Sequence, residues 1–221
     1  MKRQQAGFTL VEIAIVLVII GLLLGGVLKG QEMIENGKIK SVISDMKGVS
    51  AAFYSYQDRY RAVPGDDISA TTRFASAGTV VVNGGGNGAL FGPYLTVGVT
   101  VGVAPAVGAE TSNFWQHIRL AGFLSGDLTT NNGGNNAISA AGGAVGVQDV
   151  TAAYGLAGIK VCVGSLPSKY AQSMDTQLDD ASATTGAFRA GAGGVANQVT
   201  AAAGTAYVPG ATTIHTACLK I

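Results

Sequence analysis

The residues able to do chemistry are few. Cys162 and Cys218 are the only cysteines, and His117 and His215 the only histidines. The two cysteines could bridge or stay as two buried thiols, and no CxxC or Cys/His spacing suits zinc. Asp175, Asp179 and Asp180 cluster near the end of a candidate helix, and Asp66-Asp67 follow a turn. Oxygen-rich clusters of this kind can hold calcium. Asp179-Asp180 equally suit a solvated turn, and there is no EF-hand loop. The expectation is therefore no bound metal, with Asp175, Asp179 and Asp180 as the calcium candidates. No GxSxG elbow, zinc signature or Walker A loop is present, and the GxG strings follow from a composition with 33 glycines. Neither catalysis nor a cofactor is expected. What stands out is Glu12, the one formal charge between Phe8 and Leu28. A carboxylate in an apolar run is costly, by about 2.5–3.5 kcal/mol at mid-helix in a bilayer. It must be matched by the start of its own helix or by a cation.

The element that positions Glu12 is that apolar run. Residues 8–28 are rich in Ile, Val and Leu, and as a helix they span roughly 30 Å, the thickness of a bilayer core. A helix satisfies its own backbone polar groups, so it is the conformation this run can hold in lipid. Lys2 and Arg3 precede it, which keeps the N-terminus cytoplasmic and sends the rest of the chain across. A secretory signal peptide is one rival, with Gly25-Gly26 imitating a small-residue cut site, but its apolar core is shorter, about 7–15 residues. An ordinary N-terminal anchor is the other rival, and apolar length does not separate it. If the chain is cut after Gly7, Phe8 gains a free ammonium one turn from Glu12. Glu12 then complements either its own N-terminus or the Phe8 ammonium of a neighbouring subunit.

The helical pattern continues beyond Leu28. Ile39, Val42, Met46, Val49, Phe53, Tyr56 and Tyr60 recur at alternating steps of three and four, one apolar face of an amphipathic helix. Lys38, Lys40, Asp45, Lys47 and Asp58 fall off this stripe, and Pro64-Gly65 ends it. One helix is predicted from about Phe8 to about Arg61. Its second half packs under a head, which makes the aromatics core residues.

All but seven of the 33 glycines follow residue 62, and there six basic side chains meet eight acidic ones. A head with net negative charge has no basic footprint for nucleic acid, and its low charge suits packing against copies of itself. Val97, Val99, Val101 and Val103 alternate with small residues, which reads as a strand or hairpin. Thr79–Val82 is a short candidate strand, and Gly158–Val163 and Thr212–Leu219 are further ones, each with a cysteine. Ser112 is placed as the cap of a helix through Leu124. A second helix follows Pro167, where Tyr170, Met174 and Leu178 repeat every four residues. The tracts Asn83–Gly88, Asn131–Asn136 and Gly191–Gly194 read as loops. The order is a long N-terminal helix, membrane-embedded in its first half, then short strands and small helices, then a paired C-terminal region, which makes the class α+β. If the head lies outside the cytoplasm, thiols oxidise there, which favours a Cys162–Cys218 bridge over two buried thiols.

The run Gly7-Phe8-Thr9-Leu10-Val11-Glu12, with the long apolar helix after it, resembles the class III signal of type IV prepilins and pseudopilins. Val63-Pro64-Gly65-Asp66-Asp67, Trp115 with Leu120-Ala121-Gly122, and Leu178-Asp179-Asp180 also resemble recurring elements of bacterial pilin-like proteins. The resemblance implies cleavage between Gly7 and Phe8 by a membrane prepilin peptidase, N-methylation of Phe8, and a role for Glu12 in registering each new subunit. It implies a leader (1–7), a transmembrane or filament-core half-helix (8–28), an amphipathic half (29–62) and a pilin-like head (63–221), a small antiparallel sheet packed on the long helix, with a disulfide-bounded C-terminal region. The expected partners are identical subunits in a helical filament, the peptidase, inner-membrane assembly machinery, and lipid before assembly. The precursor would sit in the inner membrane and the product in an extracellular or periplasmic filament for adhesion or motility. The alternatives are a type II secretion pseudopilin and a minor tip pilin. The mid-helix proline of many major pilins is missing, and Gly21, Gly25 and Gly26 could soften the helix instead.

Overall fold

The structure is a computed structural model that describes residues 9–92, 94, 110–129, 134–149, 153–192, 204–208 and 213–221. Gly7, Phe8 and the predicted Val97–Val103 strand lie outside the described residues. The chain divides into two compact units, Met1–Lys38 and Ile39–Ile221. Helix α1 (Leu10–Tyr60) supplies the helical residues of the first unit and opens the second.

In the first unit the apolar side chains from Leu10 to Leu28 stand exposed, Leu10 at 92%. Length and composition suffice for this helix to cross a membrane. Lys29 begins the polar part and pairs with Glu32 at 2.8 Å.

In the second unit, Ile39, Val42, Ile43, Met46, Val49, Ala52, Phe53 and Tyr56 of α1 are buried. This is the stripe read from the sequence, with Tyr60 half-buried at its end. They share a core with Phe114, Trp115 and Ile118 of α3 (Glu110–Leu120) and with one face of a sheet. The sheet has five antiparallel strands in the order β1-β2-β3-β5-β4. They are β1 (Ala137–Ile138), β2 (Ala144–Gln148), β3 (Lys160–Pro167), β4 (Phe188–Ala192) and β5 (Ile214–Lys220). Between β3 and β4 runs α4 (Ser168–Leu178), and α2 (Ala70–Arg73) is a single turn. A long N-terminal helix with a small antiparallel sheet is the α+β, pilin-like arrangement expected.

Both faces of the central strands are covered. Val161, Val163 and Ala217 point into the main core, while Cys162 and Cys218 point into a second cluster with Tyr94, Ala153, Tyr154 and Leu156. That explains why the sequence does not reveal β2: every residue of it is buried, so no polar alternation marks it. Gly191, read as loop, lies in β4. A Cβ there would collide with the Tyr154 ring, and one at Gly146 with the Tyr94 carbonyl. The glycines let a second layer close down on the sheet.

Two further readings are corrected. Thr79–Val82 forms no strand, because its backbone bonds to side chains of α3. Gln116 Nε2 donates to Val80 O at 2.7 Å, and Val82 O lies 2.8 Å from His117 Nε2. Ser112 does not cap a helix through Leu124: α3 spans Glu110–Leu120 and Ser112 is buried within it. The predicted second helix is α4, with Pro167 immediately before its first residue.

Candidate functional site

Thr9 and Glu12 close the start of α1 on itself. Glu12 N–H donates to Thr9 Oγ1 at 3.3 Å, and Thr9 N–H donates back to Glu12 Oε2 at 2.8 Å. The Thr9 hydroxyl adds a third bond to the same carboxylate oxygen at 2.7 Å. With Leu10 as the first helical residue, Thr9 is the N-cap and Glu12 the third residue in, which makes a reciprocal capping box. The carboxylate thus satisfies one orphan donor at the helix start and lies near the positive end of the helix dipole. The sequence carries the signal as Thr-x-x-Glu before an apolar run, a capping role for Thr9 that Glu12 as a lone charge does not reveal. Within one chain the capping box gives Glu12 its partners, and Phe8 lies outside the described residues.

The Val63–Asp67 segment and α3, both singled out from the sequence, are brought together in the second unit. Gly65 N–H donates to His117 Nδ1 at 3.0 Å, while His117 Nε2 faces Val82 O. That pair of bonds requires a neutral ring with its proton on Nε2, and burial holds the imidazole below its ordinary pKa. Asp67 accepts the Tyr56 hydroxyl at 2.8 Å, Ser69 N–H at 2.8 Å and Arg73 Nε at 3.1 Å. Burial works against its charge, yet these bonds outweigh it and leave Asp67 below the usual carboxylate range. Asp66, 3% exposed, takes N–H bonds from Gly86, Asn87 and Gly88. Glu110 takes those of Gly85 and Phe91, both at 2.9 Å. Charge-assisted bonds of this kind contribute about 1.5–3 kcal/mol each, enough to hold buried carboxylates in place. Sequence reasoning missed Glu110, whose role depends on a loop some twenty residues away. The cluster organises the Asn83–Gly88 loop and contains no nucleophile–base pair.

Asp175, Asp179 and Asp180 each offer an oxygen within 4.8 Å of the others. Their carboxylates already serve the chain. Asp179 accepts the N–H groups of Ala187 and Phe188, tying the end of α4 to β4. Asp180 accepts Ser182 N–H at 3.0 Å, and Asp175 accepts the Tyr207 hydroxyl at 2.7 Å. Burial raises the Asp175 pKa, the Tyr207 bond opposes the rise, and the charges of Asp180 and Asp179 add to it. Cys162 and Cys218 face one another across β3 and β5 and form a disulfide with an S–S distance of 2.06 Å.

No curated protein and no solved structure matches the chain. Residues 2–28 match the family model described as the prokaryotic N-terminal methylation motif. The matched stretch covers the basic leader, Gly7-Phe8, the Thr9–Glu12 box and the apolar helix, and it matches the class III signal of type IV pilins that the sequence resembles.

Proposed function

We propose that the chain is a structural subunit of a type IV pilus-like filament. It would be inserted as a single-pass precursor, cut after Gly7, methylated at Phe8 and polymerised through α1. The observation that carries this reading is the methylation motif on a helix whose apolar side chains from Leu10 to Leu28 are exposed. Such a surface has two stable surroundings, lipid or other helices like itself. Extraction from the membrane would exchange the first for the second and keep the fibre core out of water. The disulfide between the central strands suits an oxidising compartment beyond the inner membrane. Prepilin peptidase and an inner-membrane assembly machine would be the processing partners, and the heads would make the outer contacts of adhesion or motility.

Mass spectrometry of the mature chain tests the first step. The expected N-terminus is Phe8 carrying one added methyl. A mature chain beginning near Val27 would replace this reading with an ordinary secretory signal. A fibre composed mainly of this chain supports the pilus assignment, and loss of exoprotein release with fibres intact would assign it to a secretion pseudopilus.

A further inference from the structure

We propose that Asn87-Gly88 is a self-modification site, at which the folded chain converts asparagine to aspartate and isoaspartate through a succinimide. The sequence holds four Asn-Gly pairs, at Asn36, Asn83, Asn87 and Asn132, and the last lies outside the described residues. In this reaction the backbone nitrogen of the glycine attacks Cγ of the asparagine. The N–Cγ bond forms, the Cγ–Nδ2 bond breaks, and Nδ2 leaves as ammonia with the proton given up by the glycine N–H. Water then opens the ring at either carbonyl, with no change of oxidation state. The reaction needs a proton acceptor at the glycine nitrogen, a donor at the side-chain carbonyl, access for water, and open space beside the glycine.

Asn87 has all four. Gly88 N–H points at Asp66 Oδ2 at 2.6 Å, which places a carboxylate to take the proton and pass it to the departing nitrogen. Ala89 N–H donates to Asn87 Oδ1 at 2.9 Å, where negative charge develops as the nitrogen adds. Asn87 is exposed. No atom lies within 4 Å of where a Gly88 Cβ would stand, so the space beside that glycine is open.

The other described pairs fail on these points. Gly84 N–H is held by the Asp67 backbone carbonyl at 3.0 Å, which is not a base. A Cβ on Gly84 would run into the Asp66 backbone, so the space beside that glycine is filled. Asn36-Gly37 lies inside α1, where the helical ladder fixes the backbone nitrogen. The consequence of reaction at Asn87 follows from Asp66, which binds the N–H groups of Gly86, Asn87 and Gly88. An isoaspartate adds a backbone carbon between residues 87 and 88, draws the Gly88 N–H off a buried carboxylate, and loosens the loop as the protein ages.

The test is peptide mapping with isoaspartate detection on the full chain in detergent micelles, incubated in mildly alkaline buffer. Conversion at Asn87 should run about tenfold ahead of Asn83 and Asn36. In guanidinium the three pairs should react at similar rates. Asp66→Asn should slow Asn87 wherever circular dichroism shows the fold retained. Should that variant unfold, the folded-against-denatured comparison of the natural chain decides. Faster conversion at Asn83 or Asn36, an unchanged ranking in denaturant, or an unchanged rate in folded Asp66→Asn would overturn the proposal.

Discussion

At the scale of single residues, the polar groups of this protein work by closing backbone donors. Thr9 and Glu12 close a helix start, Asp66 and Glu110 close a glycine loop, and Asp179 closes a turn onto β4. His117 does the same in neutral form, and this has a consequence for stability against pH. Burial depresses its pKa, as it does for His215. The unfolded chain takes up protons near pH 6.5 that the folded chain refuses, so both contributions are complete above about pH 7 and are lost progressively as pH falls from roughly 6.5 toward the lowered folded values. The urea midpoint should therefore drop between about pH 7.5 and 5.5. His117→Gln should flatten part of that slope, and adding His215→Gln most of the rest. An undiminished slope in the double variant would show that other groups carry it.

At the scale of elements, period decided what could be read. The stripe from Ile39 to Tyr60 repeats over six turns of helix, and no loop imitates it. β3 and β5 announce themselves by Lys160–Val163 and Ile214–Leu219, where apolar and β-branched residues cluster. β2 (Ala144–Gln148) shows no apolar–polar alternation, and in β4 (Phe188–Ala192) the small residues Ala190, Gly191 and Ala192 run into a glycine tract that reads as a loop. They are strands because tyrosine rings and carbonyls press onto positions where only glycine fits. Thr79–Val82 is the converse case: a β-prone run whose partners are the side chains of Gln116 and His117. The candidate site divides in the same way. Glu12 was legible as a lone charge, whereas Glu110 was not, because its partners Gly85 and Phe91 are joined to it by tertiary structure. The disulfide joins the two legible strands across a separation of 56 residues. Closing a loop of that length stabilises by about 4 kcal/mol in the chain-entropy model. Replacing both cysteines with alanine should lower the free energy of unfolding by about that amount, read from chemical denaturation without reductant. A loss under about 1 kcal/mol would mean that the reduced, unfolded chain already holds β3 and β5 together.

At the scale of the whole molecule, the open physical question is what Glu12 does when many chains meet. On the proposed reading two roles would compete for one carboxylate: the cap it forms with Thr9, and a charge pair with the Phe8 ammonium of a neighbour. Two substitutions separate them. Glu12→Gln keeps a side chain that can complete the capping box but removes the charge. Thr9→Val keeps the charge but removes the cap, at about 1 kcal/mol of helix stability. If charge pairing sets the register, Glu12→Gln should insert into the membrane normally yet yield few filaments, as should Glu12→Ala, while Thr9→Val still assembles. The cap even opposes assembly on this view, because it offers Glu12 a partner within its own chain, so Thr9→Val should leave the carboxylate freer to seek a neighbour. Filament yield by sedimentation, set against the membrane-inserted pool of each variant, gives the answer. Normal assembly by Glu12→Gln together with failure of Thr9→Val would assign the residue to helix initiation and leave axial register to the apolar surface of α1.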